Sequence, residues 1–302
     1  MNLKFLWLLT VLLVACMHLA EAQQPKKVHR IGFLSALSSP SVTGSNANVE
    51  SFRQGLRALG WIEGENISIE YRCAEGKYEK LPDLAAELVR LKLDVIVTNA
   101  PRAALAAKNA TQTIPIVFET LGDPVSTGLV SSLAQPGGNL TGVAGTGPEL
   151  SGKQVELIKE VVPRLARLAV LANPANPDIA GVIRETELAA KSLGVRVQIF
   201  NVEETDKLDG AFAAMRREGV NALFVPADAM LATRRKHILP LVEKARLPAM
   251  YVETPHWVLN GGLMSYSASL PDQFRKAAYY VDKILKRAKP AVCRYNNRQN
   301  SR

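Results

Sequence analysis

Short apolar runs of strand length alternate with amphipathic helical stretches along almost the whole chain, and few folds are open to a chain so patterned. Helices placed between successive strands make the strands parallel, because a parallel return needs a long crossover. The strand-like runs of the first half are Ile31 to Ser35, Ile67 to Tyr71, Asp94 to Thr98, 115–118 and 140–143. Between them, Asn48 to Leu59 puts Phe52, Leu56 and Leu59 on one face and closes at Gly60. Leu81 to Leu91 and the Ala-rich Pro101 to Asn109 are two further helices. A second series opens with a helix over Leu150 to Val162 and continues with a strand (Leu168 to Ala172), a helix (Asp178 to Leu193) and a strand (Val195 to Phe200). It runs on through a helix (Asp206 to Glu218), a strand (Ala222 to Val225), a helix (Leu231 to Arg246) and a strand (Ala249 to Val252). A short strand, Leu263 to Tyr266, precedes a last helix capped by Ser269, whose apolar face is Leu270, Phe274, Ala277, Val281 and Ile284. The class is α/β, and the repeated series predicts two lobes.

The ends of the chain read differently. Lys4 followed by an apolar run from Phe5 to Ala15 has the form of an export signal, and that run falls short of the about 20 apolar residues of a membrane span. Ala20-Glu21-Ala22 before Gln23 is a small-x-small cleavage site, which makes residues 1–22 a signal peptide. Leu13-Val14-Ala15-Cys16 offers a competing reading as a lipoprotein box with Cys16 acylated. Either reading places the mature domain outside the cytoplasm. The remaining chain of about 280 residues, at 47% apolar content, is ample for two cores. Only Cys73 and Cys293 remain after such cleavage, too few for a disulfide framework, and no His/Cys cluster points to a metal. The formal charge of +9 is concentrated in residues 275–302, where nine basic residues face Asp282 alone. That is one solvated helix face and a tail, not a nucleic-acid surface.

The densest local signal is 114–145, IPIVFETLGDPVSTGLVSSLAQPGGNLTGVAG. A buried strand (Ile116, Val117, Phe118) runs into Thr120-Leu121-Gly122-Asp123-Pro124, where Asp can cap a short following helix and Pro suits its first turn. A Pro136-Gly137-Gly138-Asn139 turn then leads to the next strand. With HRIGFLSALSSP (29–40), FRQGLRALGWIEGENISIEYR (52–72), LANPANP (171–177) and GGLMSYS (261–267), this gives five separated blocks in order. Together they resemble the extracytoplasmic substrate-binding proteins of ABC-type transporters, over about residues 28 to 291.

The resemblance implies the type I periplasmic-binding fold, two Rossmann-like lobes with parallel sheets joined by a hinge. It implies one lobe from 28–146 plus 260–291 and another from 147–259, with crossings near Gly145 to Pro148 and Pro255 to Gly262. It also favours release of the mature protein into the periplasm, since relatives share the Ala-Gln-Gln-Pro that precedes the first strand. Relatives continue past 289–291 with a further helical segment. Here residues 292–302 have no apolar period and read as a disordered, atypical tail.

In such a fold ligands meet the turns after strands and the N-termini of the next helices. The candidates there are Ser35, Ser38, Ser39 and Thr43 after the first strand, Thr98, Asn99 and Ala100 after the third, and Thr120 and Asp123 after the fourth. The second lobe offers Asn173, Asn176, Ala227, Asp228 and Glu253, and Tyr266 sits at the end of the short return strand. Small hydroxyls and amides beside helix N-termini suit an anionic or zwitterionic group, and Asp123, Asp228 or Glu253 would hold an amine, Asp123 first. The same residue types are ordinary caps and turn formers. The resemblance implies that Asn173 to Pro177 faces the cleft. Of the aromatics, Tyr266 is the preferred stacking partner, while Trp61 beside Gly60 reads as packing and Trp257 stays open.

Catalytic signatures are missing: there is no Gly-x-Ser-x-Gly, Walker loop, Gly-x-Gly-x-x-Gly or His-Glu-x-x-His. His29, His237 and His256 read as surface or capping residues. The expected function is therefore a non-enzymatic, cofactor-free, monomeric solute-binding component of an importer. It would capture a small solute, an amino acid or related zwitterion, for a membrane permease with a separate ATPase. A sensor module for a membrane receptor and a two-lobe α/β hydrolase are the alternatives.

Overall fold

The computed structural model describes residues 27–38, 47–132, 136–145, 149–252 and 256–290. The leader with Cys16, and Ser39, Thr43, Glu253, Cys293 and the tail at 292–302, lie outside the described residues. Two parallel sheets of five strands each form the molecule. The first takes β1 (His29–Ser35), β2 (Ile67–Cys73), β3 (Val95–Asn99), β4 (Ile116–Thr120) and β5 (Leu140–Ala144) in the order β2-β1-β3-β4-β5. The second takes β6 (Arg167–Ala172), β7 (Arg196–Asn201), β8 (Ala222–Val225), β9 (Ala249–Tyr251) and β10 (Met264–Ser265) in the order β10-β9-β8-β6-β7. Counted from each sheet's own first strand, the two orders are the same.

The period of two along each strand feeds two cores per sheet. Ile31, Phe33, Val95, Val97 and Val117 face one side of the first sheet, and Leu34, Ile96, Ile116 and Phe118 face the other. In the second sheet Ala169, Leu171, Leu223 and Val225 face one side, and Leu168, Val170, Ala222 and Phe224 the other. Helices α1 (Ala47–Ala58), α2 (Leu81–Arg90) and α3 (Pro101–Ala110) follow β1, β2 and β3. Helices α4 (Glu149–Val161), α5 (Ile179–Ser192), α6 (Leu208–Arg217), α7 (Ala229–Thr233), α8 (Arg235–Ala245) and α9 (His256–Leu259) belong to the second series.

The last helix, α10 (Leu270–Leu285), packs back on the first sheet: its Phe274 ring stacks on Phe33 at 6.3 Å, and Ala278 lies against Gly55 of α1. Trp61 closes this side, donating from Nε1 to Asp282 Oδ1 at 2.9 Å, which is the packing role its position suggested. Trp257 is likewise buried, stacked on Tyr251 at 4.5 Å.

Three local expectations are corrected. Among the described residues no helix follows Asp123-Pro124: residues 124–128 form turns, because Asp123 Oδ1 accepts from Val125 N two residues on and its carbonyl from Ser126 Oγ and Thr127 N. The helix expected over Leu231 to Arg246 is two helices, broken at Arg234, whose backbone leaves the helical region at φ −100° and ψ 10°. The strand at 263–266 shortens to β10 and pairs with β9, at the edge of the second sheet. Among the described residues no helix is long and apolar enough to cross a membrane.

Candidate functional site

In each sheet the strand order reverses beside the first strand, between β1 and β3 and between β6 and β8, and such a reversal opens a crevice beyond the strands' carboxyl ends. The two crevices face each other. One cavity, with about 530 Å³ of empty space including its mouth, is lined from the first sheet by Leu37, Asn99, Ala100, Arg102, Glu119 and Leu121. Asn176, Asp178, Ala227 and Asp228 line it from the second, and Tyr78 reaches in from the 3₁₀ turn before α2. An adjoining cavity, with about 520 Å³ of empty space including its mouth, is more apolar, walled by Leu121, Leu150, Val182, Phe224 and Val252, with Ser151, Gln154 and Ser267 as polar points. Leu121, Asp178 and Ala227 line both.

The loop after β6 is held by its own amides. Asn173 Oδ1 accepts from Ala175 N and Asn176 Oδ1 from Asp178 N, both at 3.0 Å, two successive Asx turns. Their Nδ2 groups donate to Asp228 Oδ2 at 3.1 Å and Ala227 O at 2.9 Å, tying this loop to the one after β8. Asp228 also caps α7 through Leu231 N at 2.9 Å and accepts from Tyr78 Oη at 2.9 Å. Burial pushes the Asp228 carboxyl up, while the hydrogen bonds from Leu231 N, Tyr78 Oη, Asn173 Nδ2 and Met230 N act against the shift. Tyr78 Oη in turn accepts from Ala229 N at 3.1 Å, and Arg102 Nε donates to Ala175 O at 2.6 Å. The carboxyl ends of the two sheets are thus bridged directly.

Two backbone features mark the rim. Ala100, between β3 and α3, has φ 65° and ψ 149°, a conformation costly for a residue with a Cβ. Gly122 has no room for one: a Cβ there would lie 2.0 Å from Asp178 Oδ2. Asp178 occupies the N-cap position of α5 yet makes no capping bond, and its Oδ1 is buried without a hydrogen-bond partner. Burial, and after it the charge of Asp123, push its carboxyl up to about 7.

Of the residues expected from sequence, Asn99, Asn176 and Asp228 line the cavities, together with Ala100 and Ala227. Ser35, Ser38, Thr98, Thr120, Asp123, Asn173 and Tyr266 do not. Ser35 Oγ accepts from Leu37 N, Thr120 Oγ1 from Gly122 N, and Asn99 Oδ1 from Ala36 N, so these groups hold the turns of the site. Thr98 is fully buried in its strand, and Tyr266 is 40% exposed, with its carbonyl accepting from Gln154 Nε2.

Tyr78, Arg102, Glu119 and Asp178 were missed. Glu119, a carboxylate directly after the apolar run Ile116 to Phe118 of a buried strand, is the one legible sign; the other three sit in turns and helix starts where polar residues are ordinary. Among the described residues no group of His, Cys, Asp and Glu could hold a metal ion.

A family model described as ABC transporter substrate binding protein matches residues 30–302. A tyrosine-binding protein of Clostridioides difficile is 27% identical over 229 residues, 76% of this chain. The match spans 64% of that protein's length. The ABC domain crystallised in complex with L-Trp from Streptococcus pneumoniae superimposes with a TM-score of 0.82 at 27% identity, covering 89% of each chain. A conserved domain protein of Vibrio cholerae O1 biovar El Tor also gives 0.82 at 27%, over 89% of this chain and 88% of that one.

Proposed function

The chain belongs to the ABC transporter substrate binding protein family, and from that premise we propose that it captures a small zwitterionic solute between its two sheets and delivers it to a membrane permease driven by a separate ATPase. The observation that carries this reading is the pair of joined cavities at the strand reversals, lined from both sheets and bridged by Tyr78 and Arg102. An aromatic amino acid fits best with the relatives, one tyrosine-binding and one bound to L-Trp. One lobe comprises the first sheet with α10 and the other the second sheet, and the pairing of β10 with β9 supports a return crossing after Ser265. The mature protein acts as a monomer in the periplasm, after cleavage following Ala22, and catalyses nothing.

Mass spectrometry of small molecules released on denaturing the purified protein tests the reading. A stoichiometric amino acid or related zwitterion is the expected result. Turnover of the released compound by the native protein would overturn it in favour of an enzyme.

A further inference from the structure

Asp178 stands at the junction of the two cavities and is the carboxylate that lines both. An Asp at a helix N-cap ordinarily spends its oxygens on the free N–H groups of the first turn. Asp178 does not, and Oδ1 is shut away from water with no donor to meet it. A buried carboxylate oxygen without a donor is costly, so its retention at a cavity wall calls for a partner that arrives with the ligand. Of the neighbouring carboxylates, Asp228 is engaged with Leu231 N, Tyr78 Oη and Asn173 Nδ2 and Asp123 with Val125 N, while Glu119 lines only the first cavity and not the junction.

The surroundings favour a cation. Glu119 projects from β4, Asp123 from the turn after it and Asp228 from the loop after β8, while Arg102 of α3 is the basic residue of the first cavity, its Nε already given to Ala175 O. On the other side of Asp178 the wall is mostly apolar, formed by Val182 one turn along α5 and by Leu150, Phe224 and Val252, with the uncharged Ser151, Gln154 and Ser267 among them. Gly122 lets the first sheet's rim close directly over the carboxylate.

We propose that Asp178 receives the primary ammonium of the ligand, with the ligand's apolar part in the second cavity, so that the site takes amine-bearing solutes and rejects their des-amino counterparts. This rests on the solute-capture reading above.

Calorimetric titration tests it with L-tryptophan and L-tyrosine against indole-3-propionate and 3-(4-hydroxyphenyl)propionate, alongside whatever solute the purified protein releases. The wild-type protein should bind the amine-bearing members about ten- to hundredfold more tightly, the weight of one charge-assisted hydrogen bond. Asp178→Asn should lose about that factor for the amines and change little for the des-amino acids. Its melting temperature shows that it folds, and the wild-type comparison stands without it. Equal affinity for the des-amino acids, or undiminished amine binding by Asp178→Asn, overturns the assignment. A released solute without an amine does so too, and leaves solute capture standing. No released solute and no binding of any member would overturn both.

Discussion

A carboxyl held near neutrality by burial and a neighbouring charge is a cost to the ligand-free protein. Asp178 is pushed from an ordinary value of 3.8 up to about 7, by burial first and by Asp123 second. The folded state therefore keeps this proton at pH values where the unfolded chain has lost it. Its stabilising contribution is full below about pH 4 and is lost as pH rises toward 7. Asp178→Asn should match the wild type in thermal melts near pH 4 and exceed it by about 1–2 kcal/mol at pH 8. Asp123→Asn removes the neighbouring charge while keeping an acceptor for Val125 N, so stability should change by less than about 1 kcal/mol. In that variant the Asp178 carboxyl should titrate lower, a shift that carbon-13 NMR of labelled aspartate would register. Ligand affinity should weaken between pH 8 and pH 6, because an ammonium needs the ionised form, with Glu119, Asp123, Asp228 and Arg102 as the charged groups around it.

The elements that meet at the site are fastened by few side chains, and Asp228 is the most connected. Asp228→Ala should cost about 1–3 kcal/mol in denaturant unfolding, through the lost cap of α7 and the donors left behind by Tyr78 and Asn173. Asp228→Asn keeps the cap and should cost less. The elements themselves were largely legible, because the period of two in Ile31–Phe33 and Val95–Val97, and the helical period of Phe274, Ala277 and Val281, are each set by burial on known faces. The break at Arg234 carries no Gly or Pro to announce it. The site was half legible. Residue type and strand end located Asn99, Asn176 and Asp228, but whether a hydroxyl such as that of Ser35 or Thr120 faces a ligand or its own turn depends on loop geometry that no spacing encodes. Tyr78 follows the edge strand β2 and Gln154 lies within α4, and the packing of one sheet against the other brings both to the cavities.

At the scale of the molecule, the bridge through Tyr78 Oη to Asp228 and Ala229 N bears on opening and closing. Tyr78→Phe should leave each sheet intact and shift the ligand-free protein toward an open form, seen as a larger radius of gyration in small-angle scattering, with ligand affinity reduced severalfold. The placing of α10 has a different consequence. Phe274, Ala278 and Asp282 reach back to Phe33, Gly55 and Trp61, so one face of the first sheet has no complete cover until Leu285 has been made. All strands of the second sheet lie between Arg167 and Ser265 and need no later residue to pair. On a ribosome, the half that is made first is therefore the half that finishes last. A chain built in this order stays threadable through most of its own synthesis, which suits one proposed to leave the cytoplasm before it folds.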